Sequence, residues 1–196
     1  MQAQSNVAPQ PVWVRYIENG MAIVRFTDNV TTSQVTHNGT TQTLYSYEEI
    51  EVEIPNMPNF VTYVTENASF YWEQALTQAK QDQVAALMQG YNATLDGGFT
   101  SSATGTPILY GWQQLDQLHL DMVQEGITQG TETFPVAYAD IYGNEVLITS
   151  QAQLTQLDTD ATNFSWTQIK QARTLTAQVM AATTISAVQA VVWSRG

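Results

Sequence analysis

The sequence contains no cysteine, which excludes disulfides, thiolate nucleophiles and thiolate metal sites and leaves the redox compartment open. Charge is scarce as well: Asp, Glu, Lys and Arg make up only 12% of the 196 residues, about half the usual share. Basic residues are scarcest. Six of them (Arg15, Arg25, Lys80, Lys170, Arg173 and Arg195) stand against 18 acids, the net charge is −12, and they form no block in the sequence. A nucleic-acid partner requires a basic footprint to neutralise phosphates, so none is expected, and the same charge argues against an anionic membrane surface. No run approaches the roughly 18 apolar residues of a membrane span, so no membrane insertion is expected. The opening residues MQAQSNVAPQP have neither a charged n-region nor an apolar h-region, and no signal peptide is expected. Asn-x-Ser/Thr sequons at Asn38, Asn67, Asn92 and Asn163 read as chance in so Asn- and Thr-rich a chain.

Groups that do chemistry are equally sparse. There are two histidines. His37 sits beside a turn signal, where an exposed ring is expected. His119 lies in Asp116-x-x-His119-x-Asp121, a spacing that puts Asp116 and His119 on one helix face. A hydrolytic triad also needs an activated nucleophile, and Ser101-Ser102 lie in no Gly-x-Ser-x-Gly elbow. Asp158-Thr-Asp160 alternates acids as calcium loops do, yet lacks the glycine and the distal Glu of an EF-hand. Asp140-x-x-Gly143-Asn144 reads as an ordinary turn, and Gly97, Gly98 and Gly105 match no phosphate-binding pattern. Trp13, Trp72, Trp112, Trp166 and Trp193 are dispersed, which fits packing better than a sugar platform. The expectation is a non-enzymatic protein with no catalytic residues, no metal and no cofactor.

What remains is 43% hydrophobic residues in a Gln-, Thr-, Asn- and Ser-rich setting, enough to build one or two small domains. The fold class expected is α+β: a small N-terminal antiparallel sheet of four or five strands, then a mostly helical domain containing one β-hairpin. Residues 1–11, polar with Pro9 and Pro11, read as a flexible or docking arm. Residues 12–58 read as the β module. Val12–Tyr16 alternates, Asn19-Gly20 signals a hairpin, and Met21–Thr27 returns. Asp28-Asn29 is a second turn candidate. Val30–His37 and Gln42–Tyr47 flank another hairpin signal, Asn38-Gly39. Glu49, Glu51 and Glu53 alternate with Ile50, Val52 and Ile54, which describes a half-buried strand with a solvated acidic face. Those carboxylates sit about 7 Å apart, near enough to share a cation, but no His or Asp partner is near and the solvated face is favoured. A sheet this small exposes an edge unless a partner covers it.

Residues 59–196 read as the helical domain. Phe60–Thr65 is expected to be a short strand or extended segment, with Asn67 or Ser69 capping a helix over Phe70–Leu95 that Gly97-Gly98 ends. Phe99–Pro107 is a loop by composition and Ile108–Tyr110 is extended. Leu115, Leu118, Met122 and Val123, with Trp112, form the packing face of a helix ending at Gly126. Phe134–Ala139 and Glu145–Thr149 form a hairpin. Ser150-x-x-Gln153 matches a capping box before a long helix, which Thr183-Thr184 breaks before a last helix over Ile185–Trp193. The a/d repeat in the long helix holds only from Leu154 to Phe164, so packing within the chain is favoured over a coiled coil. Asp116, His119, Gly97, Gly98, Gly105 and Tyr110 are expected to form a structural anchor in which Asp116 and His119 hold the glycine-rich loop against the helix.

The order of motifs over residues 72–193 resembles a domain of unknown function found in bacteriophage tail-fibre and fibre-assembly-related proteins. The resemblance is carried by Gly97-Gly98-Phe99, Ser101-Ser102, Gly105-Thr106-Pro107 and Tyr110, then Leu115-Asp116-Gln117-Leu118-His119-Leu120, in which His119 replaces the family's usual Asn. Ala139-Asp140 with Gly143 and Thr149, Gln153-Leu154, Ala181-Ala182-Thr183-Thr184, Val188 and Val191-Val192-Trp193 follow in the family's order. The resemblance implies a structural virion protein of a phage tail, a fibre or baseplate component made in the host cytoplasm. Its partners would be other tail or fibre proteins and further copies of itself, a homotrimer by analogy with fibres. The alternatives are a fibre-assembly chaperone and, second, an enzyme acting on host glycans through a carboxylate pair.

Overall fold

Asn-Gly turns set the N-terminal architecture. The computed structural model describes residues 2–194, and its class is α+β. Strands β1 (Gln2–Ser5), β2 (Val12–Tyr16), β3 (Met21–His37) and β4 (Thr40–Pro55) form one antiparallel sheet in the order β1-β4-β3-β2. Asn38 and Gly39 have φ of 49° and 78° between His37 and Thr40, which pair with each other. This is the two-residue loop with positive φ at both positions that matches the strand twist. Asn19 and Gly20, at 68° and 73°, close the β2–β3 hairpin through a short 3-10 turn.

Three expectations about this sheet are corrected. Residues 2–5 of the expected arm form an edge strand, Gln2–Ser5 pairing with Tyr45–Glu48 of β4. Asp28-Asn29 is no turn: β3 runs through it, and the register slips between Asp28 and Thr31 with Asn29 at φ 52°. Two residues of β3 there oppose one of β4, a bulge that bends the strand without ending it. Segments 42–47 and 49–54 are likewise one strand, so two long strands and two short ones make up the sheet. The acidic face is solvated at Glu51 and Glu53 and half-buried at Glu49, and the Arg25 Nε donates to Glu51 at 2.7 Å. The side chain of His37 lies outside the described residues.

The chain divides into two units that cut across the expected 12–58 and 59–196 boundary. One takes the chain to Val84 together with Ala177–Val192. The other takes Ala85–Thr176 and the residues from Trp193. Helices α2 (Ala68–Asp96) and α4 (Gln151–Ala181) each contribute to both.

In the first unit, Ala22, Val24 and Phe26 of β3 and Ile50 and Ile54 of β4 alternate onto one sheet face and bury against α1 (Phe60–Glu66), Tyr71 and Ile185. The Phe26 and Tyr71 rings stack at 5.2 Å. The expected strand at Phe60–Thr65 is α1. Its β-branched residues favour a strand locally, but Phe60 and Val64, four apart, are both buried on one helical face, and packing overrides propensity. Asn67 does not cap the next helix; its amide donates back to the Tyr63 carbonyl at 2.8 Å, and Ser69 lies inside α2. Helix α5 is shorter than expected, Ile185–Gln189, with the Thr184 hydroxyl accepting from the Ala187 amide at 3.1 Å.

In the second unit, β5 (Phe99–Ser101) pairs with β6 (Ile108–Tyr110), so the expected loop opens with a strand. Helix α3 (Gln114–Gln129) runs one turn past Gly126, and β7 (Val136–Ala139) and β8 (Glu145–Ile148) form the expected hairpin. Leu120, Val123, Leu154, Leu157 and Ala161 meet Phe99, Tyr110, Tyr138 and Ile148 in the core. The a/d residues of α4 are thus spent inside their own unit. The expected face of α3 is wrong except at Val123 and Trp112: Leu115, Leu118 and Met122 are 78%, 53% and 62% exposed. Two apolar stripes share this helix, and periodicity does not say which one faces inward. Gln153 completes its cap by accepting from the Thr149 amide at 2.7 Å rather than from that of Ser150. No helix among the described residues is long and apolar enough to cross a membrane.

Candidate functional site

The glycine-rich turn after α2 is built by close backbone approach. The Gly97 amide reaches the Ala93 carbonyl at 3.2 Å and the Gly98 amide the Leu95 carbonyl at 2.9 Å, which closes the helix end. Gly98 has φ 71°, and a Cβ there would run into the Tyr110 carbonyl. β5 and β6 are therefore held together at a point only glycine permits. Tyr110 is buried against Phe99 at 5.7 Å and Tyr138 at 5.8 Å. Burial raises the phenol of Tyr110 above its ordinary range and raises that of Tyr138 further, with the Asp116 charge adding to the effect at Tyr138. Both phenols stay protonated at neutral pH. Gly105 lies at the open tip of the loop, with nothing near its Cβ position.

Asp116 and His119 do not hold that loop. The Asp116 carboxylate accepts from the Gln113 amide at 2.8 Å and caps its own helix, while its backbone carbonyl accepts from the Tyr138 hydroxyl at 2.9 Å. The His119 ring stacks on Tyr138 at 5.0 Å. Of the six expected anchor residues, the structure joins Gly98 to Tyr110, links Asp116 and His119 through Tyr138, keeps Gly97 in the turn that ends α2, and leaves Gly105 apart. The loop's real anchor is Asp160 on α4. It accepts from the Ser101 hydroxyl at 2.6 Å and from the Gln156 amide at 2.7 Å, while Ser101 accepts from the Ala103 amide at 3.1 Å. The Asp160 carboxylate thus fixes the Ser101 hydroxyl at the start of the loop. We therefore expect Asp160→Ala to lower unfolding stability by about 2 kcal/mol and Asp116→Ala by about 1 kcal/mol. Urea unfolding of the two variants checks the order, and equal losses would contradict it.

Sequence reading missed Glu48, the one carboxylate among the buried described residues, 4% exposed. A signal was present: Glu48 shares the parity of Ile50, Val52 and Ile54, which places an acid on the apolar face. It accepts from the Ser186 amide at 2.7 Å, the Ile185 amide at 3.2 Å and the Asn29 side chain at 3.1 Å. Desolvation pushes its pKa up, but the bonds from Ser186, Asn29 and Ile185 outweigh that and hold it below the ordinary carboxylate value. The bulge at Asn29, the centre of β4 and the start of α5 thus meet at one buried charge. A cleft of about 250 Å3 beside it is lined by Asp28, Asn29, Trp72, Glu73 and Thr184 among others. No cluster of acids and histidines among the described residues is arranged to hold a metal ion.

The remaining feature is an edge. β2 pairs with β3 only as far as Phe26, and β1 pairs with β4 only over Tyr45–Glu48. Beyond them β3 and β4 continue as a two-stranded ribbon, tied by the Gln34–Thr43 bond at 3.1 Å and the Thr36–Thr41 bond at 3.0 Å. Every described side chain from Asp28 to Gln42 is exposed. Residues 29–47 contain no Asp, Glu, Lys or Arg. A two-stranded ribbon in water has little to hold it, and an uncharged edge lacks the usual protection against pairing with another chain.

No family model, no curated protein and no solved structure matches this chain.

Proposed function

We propose that the chain is a structural component of a bacteriophage tail, a fibre or baseplate protein that connects or presents fibres at the tail tip. The setting rests on the order of motifs from Gly97 to Trp193. The observation that carries a role in assembly is the ribbon: a long, exposed, charge-free pair of strands anchored in a small sheet. Such an element offers backbone donors and acceptors to another chain, the mode of recognition that adds a strand to a sheet edge. The polar groups that attract a catalytic reading support the same conclusion. Asp116, Asp160 and Ser101 each hold a turn or a helix end, and His119 stacks on a tyrosine.

The test is quantitative mass spectrometry of gradient-purified particles from an infected culture. The chain is expected in fixed stoichiometry with the other tail proteins, and resistant to a high-salt wash. Recovery only in the lysate, bound to soluble fibre and missing from particles, would replace this reading with that of an assembly chaperone.

A further inference from the structure

We propose that the outer edge of β3, from Asp28 to His37, is a self-association site that pairs antiparallel with the same edge of a second copy of this chain. Past Thr27, whose amide reaches the Pro11 carbonyl at 3.0 Å, no described strand covers this edge. Alternate residues there present free N–H and C=O groups outward, the arrangement into which a further strand fits. The sequence of the edge, Asn29-Val-Thr-Thr-Ser-Gln-Val-Thr36, favours strands through its β-branched residues and has no proline.

The occupant follows from charge. Each copy carries a net charge of −12, and identical acidic surfaces repel at close range. The edge carries none of that charge beyond Asp28 at its start. A partner of opposite charge would be met by carboxylates, and this edge offers none after Asp28. Identical chains meet there without like-charge contact. Pairing about Ser33 places Thr31 opposite Val35 and Thr32 opposite Gln34, pairs that a pleated surface accepts. The bulge at Asn29 bends β3 where the free edge begins and limits how far a partner strand can run. Edge-to-edge pairing of this kind is two-fold and closes on itself, unlike the trimer that the fibre analogy implies. It holds whether or not the chain belongs to a tail.

The test is sedimentation equilibrium of the full chain over a range of concentrations. A reversible two-chain species is expected. Ser33→Lys places two lysines face to face across the pair, Val35→Lys adds a like charge diagonal to them, and together they should weaken association at least about tenfold, which is about 1.4 kcal/mol. Gln74→Lys with Gln81→Lys, on the exposed face of α2, adds the same charge elsewhere and should leave association unchanged. Circular dichroism confirms that both variants are folded. If the lysines unfold the ribbon, a single Ser33→Cys variant in this cysteine-free chain replaces them, and rapid disulfide formation between copies is expected. A monomer at all concentrations, a trimer, or association unaffected at β3 would each overturn the proposal.

Discussion

Glu48→Ala is expected to destabilise the unit containing the sheet by about 3 kcal/mol. The carboxylate is 4% exposed and accepts three bonds, from the Ser186 and Ile185 amides and from Asn29. Removing it strands the buried Ile185 amide and the part-buried Ser186 amide at the start of α5, and a buried donor left unpaired costs about 1–3 kcal/mol. It also frees Asn29, which shapes the bulge. Glu48→Gln keeps an acceptor oxygen and should lose less. The pH dependence separates charge from shape. The folded pKa of Glu48 lies below its ordinary value of 4.5. Its contribution is therefore complete above about pH 4.5, and it disappears as the pH falls through the lower folded value. Wild type should lose this increment on acidification, and Glu48→Gln should not. Urea unfolding at neutral and acid pH reads both effects. An unchanged stability in Glu48→Ala would show that Ile185 and Ser186 find other partners.

Gly98→Ala should cost about 3 kcal/mol or more, whereas Gly105→Ala should cost only about 1 kcal/mol. Both glycines have positive φ, 71° and 95°, so both replacements carry the strain of the left-handed region. Only Gly98 adds a collision. Its Cβ would meet the backbone carbonyl of Tyr110, which belongs to the strand paired with β5 and has no flexible end to move aside. Relief requires β5 to separate from β6, and that opens the packing of Phe99 on Tyr110 and Trp112. Thermal unfolding of the two variants gives the comparison. Equal shifts would mean that backbone conformation alone, and not close approach, accounts for the glycine at 98.

Features that short-range chemistry determines were legible in the sequence. Asn38-Gly39 turns as its φ preference dictates, Asp140 accepts from the Tyr142 and Asn144 amides in its turn, and Ser150 opens α4. Each depends on residues within four positions. The features that escaped depend on partners far away in sequence. Glu48 meets Ser186 across 138 residues, and Ser101 meets Asp160 across 59. β1 is four polar-to-small residues with no pattern, made a strand only by its pairing to β4. Helix α1 reads locally as a strand until Phe60 and Val64 find the sheet. Helix α3 carries two apolar stripes, the sequence reading named the exposed one, and nothing short of the packed core distinguishes them. Division into units escaped for the same reason: α2 and α4 are continuous in sequence, and only their partners change along their length.

The β3 edge, uncharged past Asp28, works by association, and amide hydrogen exchange over residues 28–37 tests this most directly. At concentrations where two chains pair, the outward amides of this segment should exchange far more slowly than in the dilute protein, while the helical amides of α3 stay unchanged. Exchange across 28–37 that is fast and independent of concentration would contradict it.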